Sequence, residues 1–216
     1  MSNSIDIIPS ILTDDPDVLA DMLHRADTVV DRVHIDIIDG VYADNETIDP
    51  TALNMIDNGL MLDFHLMVNE PENWVQKCLR AGGDRIIGQL EMMESQRKFI
   101  EAVTSEGASV GIAIDDDSDI DDLDSDYLDS LDVIVVMSVP AGFGGQEFRL
   151  SALEKIDKLD RLRKEKGYRY AIADDGGITL DLIDDVRREG ADEAIIGNRI
   201  FNGDLKANIE NFLKNA

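Results

Sequence analysis

Three histidines occur in the 216 residues, and two of them stand beside carboxylates in segments that read as strands. In the run His34-Ile35-Asp36-Ile37-Ile38-Asp39-Gly40, His34 and Asp36 are two apart, which puts both on one face of a strand. Asp63-Phe64-His65-Leu66-Met67 places His65 similarly, and Asp174-Asp175 precedes Gly176-Gly177. If the fold brings the strand ends carrying His34, Asp36, His65 and Asp175 to one point, the set suits one divalent transition metal. Zinc, iron(II), cobalt and manganese all accept such ligands, with positions left open for substrate oxygens. His24, between polar neighbours in a helical segment, reads as plain surface.

A second group of residues suits phosphate. Gly142, Gly144 and Gly145 lie in Met137-Ser-Val-Pro-Ala-Gly-Phe-Gly-Gly-Gln146, Gly176 and Gly177 follow the aspartate pair, and Gly197 precedes Asn198. Glycines there let backbone amides approach a phosphate closely, and three such loops on one rim make a subsite.

These residues need a scaffold that collects strand ends. Eight short β-type runs recur at intervals of about 25 residues, over 5–10, 32–37, 60–67, 85–89, 109–114, 133–137, 168–173 and 194–196. Helical patterns separate them. Val18, Leu19, Met22, Leu23 and Ala26 form a stripe behind Pro16, and Trp74, Val75, Cys78 and Leu79 form another closed by Gly82 and Gly83. Ser151 with Glu154 spells a capping box, and Thr179 opens a helix that stops at Gly190. The strands are apolar runs rather than alternations, as parallel strands buried on both faces are. The expected fold is a closed (β/α)8 barrel forming one domain over residues 1–216, with its chemistry at the carboxyl ends of the strands. A doubly wound open sheet is the weaker reading, because no G-x-G-x-x-G follows the first strand.

The charge narrows the partners. Asp and Glu total 46 against 20 Lys and Arg, a formal net charge of −26, and 33 of the acids are Asp. Nucleic acid and anionic membranes are poor partners for such a surface, and the excess suits a protein solvated at high salt. Cys78 is the lone cysteine, so no intrachain disulfide or Cys-based zinc site forms, and a cytoplasmic location is expected. No basic leader precedes a long apolar stretch, and no apolar run approaches the ~20 residues that span a bilayer. The acidic stretch 114–132 fails as a calcium loop, with Asp122 at the glycine position and Leu128 at the glutamate position. The spacing of Ile120, Leu123, Tyr127 and Leu131 predicts an amphipathic helix there.

Taken in order, the segments Ile7-Ile-Pro-Ser-Ile-Leu12, His34 to Gly40, Asp63 to Val68, Met137 to Phe148, Asp174 to Ile178 and Gly197 to Phe201 span nearly the whole chain. In them the sequence resembles the ribulose-phosphate 3-epimerases. The resemblance implies a metal-dependent barrel that interconverts D-ribulose 5-phosphate and D-xylulose 5-phosphate, with a sugar phosphate as partner and a homo-oligomeric state, dimer or hexamer. It implies one divalent cation, zinc foremost, on His34, Asp36, His65 and Asp175. Asp36 and Asp175 become the acid/base pair, and Ser10, His65, Met67 and Met137 contact substrate. Gly142, Gly144, Gly145, Gly176, Gly177, Gly197 and Asn198 make the phosphate-binding loops. The chain departs from the family pattern at Ile38, Val41, Gln89, Pro140, Ala141, Asn198 and the stretch 115–119; none of these is a metal ligand or one of the acid/base pair.

Epimerisation next to a ketone removes a proton from one face of a carbon and returns one to the other, so two acid/base groups must flank the substrate. A carbon acid this weak also needs a Lewis acid to stabilise the cis-enediolate. A hexulose-phosphate 3-epimerase would use the same ligands, and a non-catalytic sugar-phosphate-binding protein is the alternative outside enzymes. An orotidine-monophosphate-type decarboxylase would need a lysine within Asp36-Ile37-Ile38-Asp39, and there is none.

Overall fold

The computed structural model describes residues 4–216, in which eight parallel strands close into a barrel in sequence order. They are β1 (Asp6–Ile11), β2 (Arg32–Ile38), β3 (Met61–Met67), β4 (Gly83–Gln89), β5 (Ser109–Ile114), β6 (Val133–Met137), β7 (Ala171–Asp175) and β8 (Glu193–Ile196). β1 pairs with both β2 and β8, so the sheet has no open edge. The expected (β/α)8 barrel is the observed fold.

The strands are packed on both faces. Outside, residues such as Ile35, Phe64, Ile86, Ile112 and Ile134 join the helices in the main core. Inside, Ile8, Ile87, Ala113, Val133, Val135, Met137, Ala173 and Ile195 form a smaller apolar cluster. Toward the amino ends of the strands the interior turns ionic. Arg85 on β4 donates to Glu193 on β8 at 2.6 and 2.9 Å and also to Asp63 on β3, and Arg32 on β2 donates to the same Asp63. Asp63 is completely buried and Arg85 is 5% exposed. This cluster closes the end of the barrel away from the expected chemistry.

The helices are α1 (Pro16–Ala26), α2 (Val75–Arg80), α3 (Gln96–Thr104), α4 (Ser151–Lys166), α5 (Ile183–Glu189), α6 (Asn198–Phe201) and α7 (Leu205–Asn215). In α1 the Asp15 side chain accepts from the Asp17 and Val18 amides, Pro16 takes the first turn, and Leu19, Met22, Leu23 and Ala26 are buried. Val18, counted in the expected stripe, is 43% exposed. α5 stops at Gly190 with φ +117°, as its sequence predicts. None of the described helices is long and apolar enough to cross a membrane.

Several local expectations are corrected. The seventh strand begins at Ala171 rather than Tyr168, and Asp174 and Asp175 belong to it. The capping box at Ser151 does not form: Ser151 is already inside α4, and its hydroxyl donates to Asp116. Thr179 opens a turn through its carbonyl, and α5 proper begins at Ile183. The acidic stretch makes two 3-10 turns, Ile120–Asp122 and Leu128–Ser130, instead of an amphipathic helix. Its aspartates draw the backbone into local turns: Asp119 accepts from the Asp121 amide, Asp122 from Asp119 and Asp124 from Asp126. The stripe still works as an anchor, since Leu123 and Leu131 are buried and Ile120 and Tyr127 pack partly buried against the core.

Candidate active site and metal centre

Five strands, β1, β2, β3, β6 and β7, carry the predicted side chains of the site. Ser10 near the end of β1 is the register partner of His34 on β2, and Asp36 is the partner of His65 on β3. Asp175 closes β7 beside Met137 of β6. His34 and His65 lie deeper than the strand ends expected of them: both rings are fully buried.

One ligand atom from each of His34, Asp36, His65 and Asp175 falls within 4.8 Å of the other three. His34 Nε2 stands 3.4 Å from Asp36 Oδ1 and 3.7 Å from Asp175 Oδ2, while His65 Nδ1 stands 3.3 and 3.8 Å from the same two oxygens. His34 Nε2, His65 Nδ1 and Asp36 Oδ1 are buried and make no hydrogen bond. Buried polar atoms of this kind are costly unless something satisfies them. Three that converge with a fourth oxygen make a donor set that fits a divalent cation.

The other atoms of these side chains are held. Ser10 Oγ donates to Asp36 Oδ2 at 2.8 Å, which turns Oδ1 toward the cluster. His65 Nε2 is 2.9 Å from Gln89 Oε1, and Gln89 Nε2 donates to Glu91 Oε2 at 2.7 Å. The two carboxylates differ in proton affinity. Burial pushes both upward, but the close approach and charge of the His34 and His65 rings overcome this at Asp36 and hold it well below the usual range. At Asp175 burial and the neighbouring Asp36 charge prevail, and its carboxyl is pushed up to about 6. Burial would lower His34, but the nearby carboxylates of Asp36 and Asp175 raise it. The site thus holds one firmly ionised carboxylate and one that retains its proton far more readily.

Above the cluster lies a cleft lined by Ser10, Asp36, Met67, Met137 and Asp175 together with Gly142, Gly144, Gly145, Gly176, Gly177, Gly197 and Asn198. The structure therefore brings together every sequence-predicted site residue, with the two histidines beneath the cleft surface. Gly177 has φ +64°, and a Cβ there would meet the Phe148 amide nitrogen at 2.6 Å, so a side chain would displace the rim. The loop after β2 folds across the mouth: Asn45 donates to the Gly142 carbonyl at 2.7 Å and the Tyr42 hydroxyl to Asp115 at 2.6 Å.

The sequence model of the Ribulose-phosphate 3 epimerase family matches residues 6–201. The chain belongs to this family. It is 30% identical over 210 residues to the ribulose-phosphate 3-epimerase of Treponema pallidum (strain Nichols), covering 96% of each chain. With the ribulose-phosphate 3-epimerase of Escherichia coli (strain K12) it shares 33% identity over 199 residues, covering 90% of this chain and 88% of that one. Among solved structures, a mutant tryptophan synthase alpha-subunit from Pyrococcus furiosus aligns over 99% of this chain and 100% of its own, with a TM-score of 0.71 and 14% identity. A 3-hexulose-6-phosphate synthase aligns over 98% and 99%, with a TM-score of 0.63 and 13% identity. These likenesses speak for the barrel alone, whereas membership of the epimerase family makes the chain an epimerase whose substrate is a sugar phosphate.

Two site features escape a reading of the sequence. Gln89 stands out there as a departure from the family pattern, and only the structure shows it bonded to His65 and fully buried. Arg199, the only cation among the described residues lining the cleft, follows Asn198 directly. Its signal is a positive charge directly after Gly197-Asn198 in a strongly acidic chain.

Proposed function

We propose that this enzyme interconverts D-ribulose 5-phosphate and D-xylulose 5-phosphate, with Asp36 and Asp175 as its acid/base pair. The observation that carries the reading is the convergence of these two carboxylates, on strands separated by β1 and β8, with the unpartnered ring nitrogens His34 Nε2 and His65 Nδ1. His34, Asp36, His65 and Asp175 would hold one divalent cation, zinc foremost, with iron(II), manganese and cobalt served by the same donors. When bound, it would supply Lewis-acid stabilisation of the charge that develops on the substrate oxygens as the proton leaves carbon.

The chain's own residues do the rest. Asp36, held ionised, starts as base at carbon 3 from the β2 side. Asp175, holding its proton more readily, starts as acid from the β7 side, and the roles exchange in the reverse direction. Ser10 keeps Asp36 turned to its work through the 2.8 Å hydrogen bond. Met67 and Met137 line the cleft with polarisable apolar surface that limits water around the reacting carbon. Backbone amides of Gly144, Gly145, Gly177 and Gly197, with Asn198, receive the phosphate, and Gly142 and Gly176 shape the same rim. We read the chain as one barrel domain that works in the cytoplasm as a homo-oligomer, dimer or hexamer; light scattering that returned a monomer mass would remove the assembly.

The test is proton NMR of ribulose 5-phosphate with the zinc-loaded protein in deuterated water and high potassium chloride. Loss of the carbon 3 proton with growth of xylulose 5-phosphate signals is the expected result. No exchange with the cation bound would overturn the reading, and turnover confined to a hexulose 6-phosphate would change the substrate while keeping the chemistry.

A further inference from the structure

The hydrogen bonds behind His65 admit only one pattern of protons. Glu91 as a carboxylate can only accept, so the Gln89 group 2.7 Å from its Oε2 must be the amide NH2. That leaves the Gln89 carbonyl facing His65 Nε2 at 2.9 Å. A carbonyl also only accepts, so His65 Nε2 must carry the proton. In the neutral ring the lone pair then sits on Nδ1, the atom that points into the four-ligand cluster and has no hydrogen-bond partner.

Glu91 is itself anchored. Its Oε1 accepts from the Asp115 amide at 2.9 Å and from the Ser118 hydroxyl, both on the loop after β5. The chain of donors thus runs from the acidic loop through Glu91 and the fully buried Gln89 to His65. His34 has no such support: its Nδ1 is buried without a partner.

We propose that Gln89 and Glu91 are positioning residues that set the tautomer of His65 and so present its Nδ1 lone pair to the cation. This rests on the metal-site reading given above. Outer partners of metal-bound histidines fix ring orientation and tautomer in this way, and their loss typically weakens metal binding by roughly 10- to 100-fold. The amide is suited to the task only because Glu91 decides which way round it sits. With a neutral partner at position 91, Gln89 could turn over and offer its NH2 to His65 Nε2, favouring the wrong tautomer.

The experiment compares the parent protein with Gln89→Met and Glu91→Gln. Two quantities are read: the tautomer of His65 by long-range proton–nitrogen correlation on histidine-labelled, metal-free protein, and the zinc dissociation constant by chelator competition. The parent should show a single Nε2–H pattern for His65. Glu91→Gln, which touches no cation ligand, should give a mixture of tautomers and weaker zinc binding, and Gln89→Met a loss of roughly 10- to 100-fold. Should Gln89→Met fail to fold, Glu91→Gln decides. An unchanged Nε2–H pattern with zinc affinity within twofold of the parent in the variants would overturn the proposal. If the parent binds no zinc, the metal reading fails separately, and the tautomer pattern in the metal-free proteins still decides whether Gln89 and Glu91 set it.

Discussion

Asp36 Oδ1 stands 3.3 Å from His65 Nδ1, across a pair of residues in direct register between β2 and β3. One rung of the ladder thus supplies an oxygen and a nitrogen to the same point, and His34 adds a second nitrogen two residues before Asp36. Because a bound cation stabilises only the folded arrangement, saturating the protein with zinc at a thousand times its dissociation constant should add about 4 kcal/mol of stability. Calorimetry before and after chelation reads this directly, and an unchanged melting temperature would deny the site a cation.

Asp175→Asn removes the one of the two site carboxyls that holds its proton more readily, while preserving its shape. We expect kcat to fall by about 10²- to 10⁴-fold, the usual share of a positioned acid or base, with the circular dichroism spectrum unchanged. Full activity in this variant would remove Asp175 from the acid/base pair.

Asp174 predicts a pH effect of its own. It is completely buried, its one side-chain hydrogen bond comes from Ser138 Oγ at 3.2 Å, and burial raises its pKa well above the usual carboxylate value. The folded protein therefore holds a proton that the unfolded chain releases near pH 4. Stability from this group is full below the unfolded pKa and is lost as pH rises through the folded one. Asp174→Asn should raise the melting temperature at pH 8 and leave it nearly unchanged at pH 3.5. An equal shift at both values would assign the effect to packing instead.

Asp63→Ala should test the ionic cluster at the amino ends of the strands. It would leave Arg85, 5% exposed, with Glu193 alone. Removing one partner of a buried pair typically costs about 3–5 kcal/mol, a loss that urea denaturation would register. A change below 1 kcal/mol would mean that water or a shift of Arg85 compensates.

The net charge of −26 predicts dependence on salt. Self-repulsion opposes folding in dilute buffer and is screened as ionic strength rises. The melting temperature should therefore climb from dilute buffer to molar potassium chloride. A flat profile would dismiss a salt-adapted surface.

The barrel and the pairing of His34 with Asp36 on one strand face were legible in the linear order because both depend on short-range pattern. Apolar runs at regular spacing require parallel strands, and a period of two places His34 with Asp36 on one face whatever the rest of the chain does. The helix expected in the acidic stretch was not legible, since aspartate side chains compete with helical hydrogen bonds according to how they meet the backbone. Nor were the partners of Ser151, which bonds to Asp116 rather than capping its helix.

By itself the sequence determined the eight-stranded barrel through residue type and periodicity, and the family and its expected cleft residues through the likeness of its segments to the ribulose-phosphate 3-epimerases. Only the tertiary structure decided how those residues are poised. It buried Asp36 between two histidines and set the partly buried Asp175 beside Asp36, so that chemically identical carboxyls differ in proton affinity. It also brought Gln89 of β4 against His65 of β3 and Glu91 against the loop after β5. Proton affinity and tautomer depend on desolvation and on hydrogen-bond partners remote in the chain, quantities that exist only once the barrel has closed.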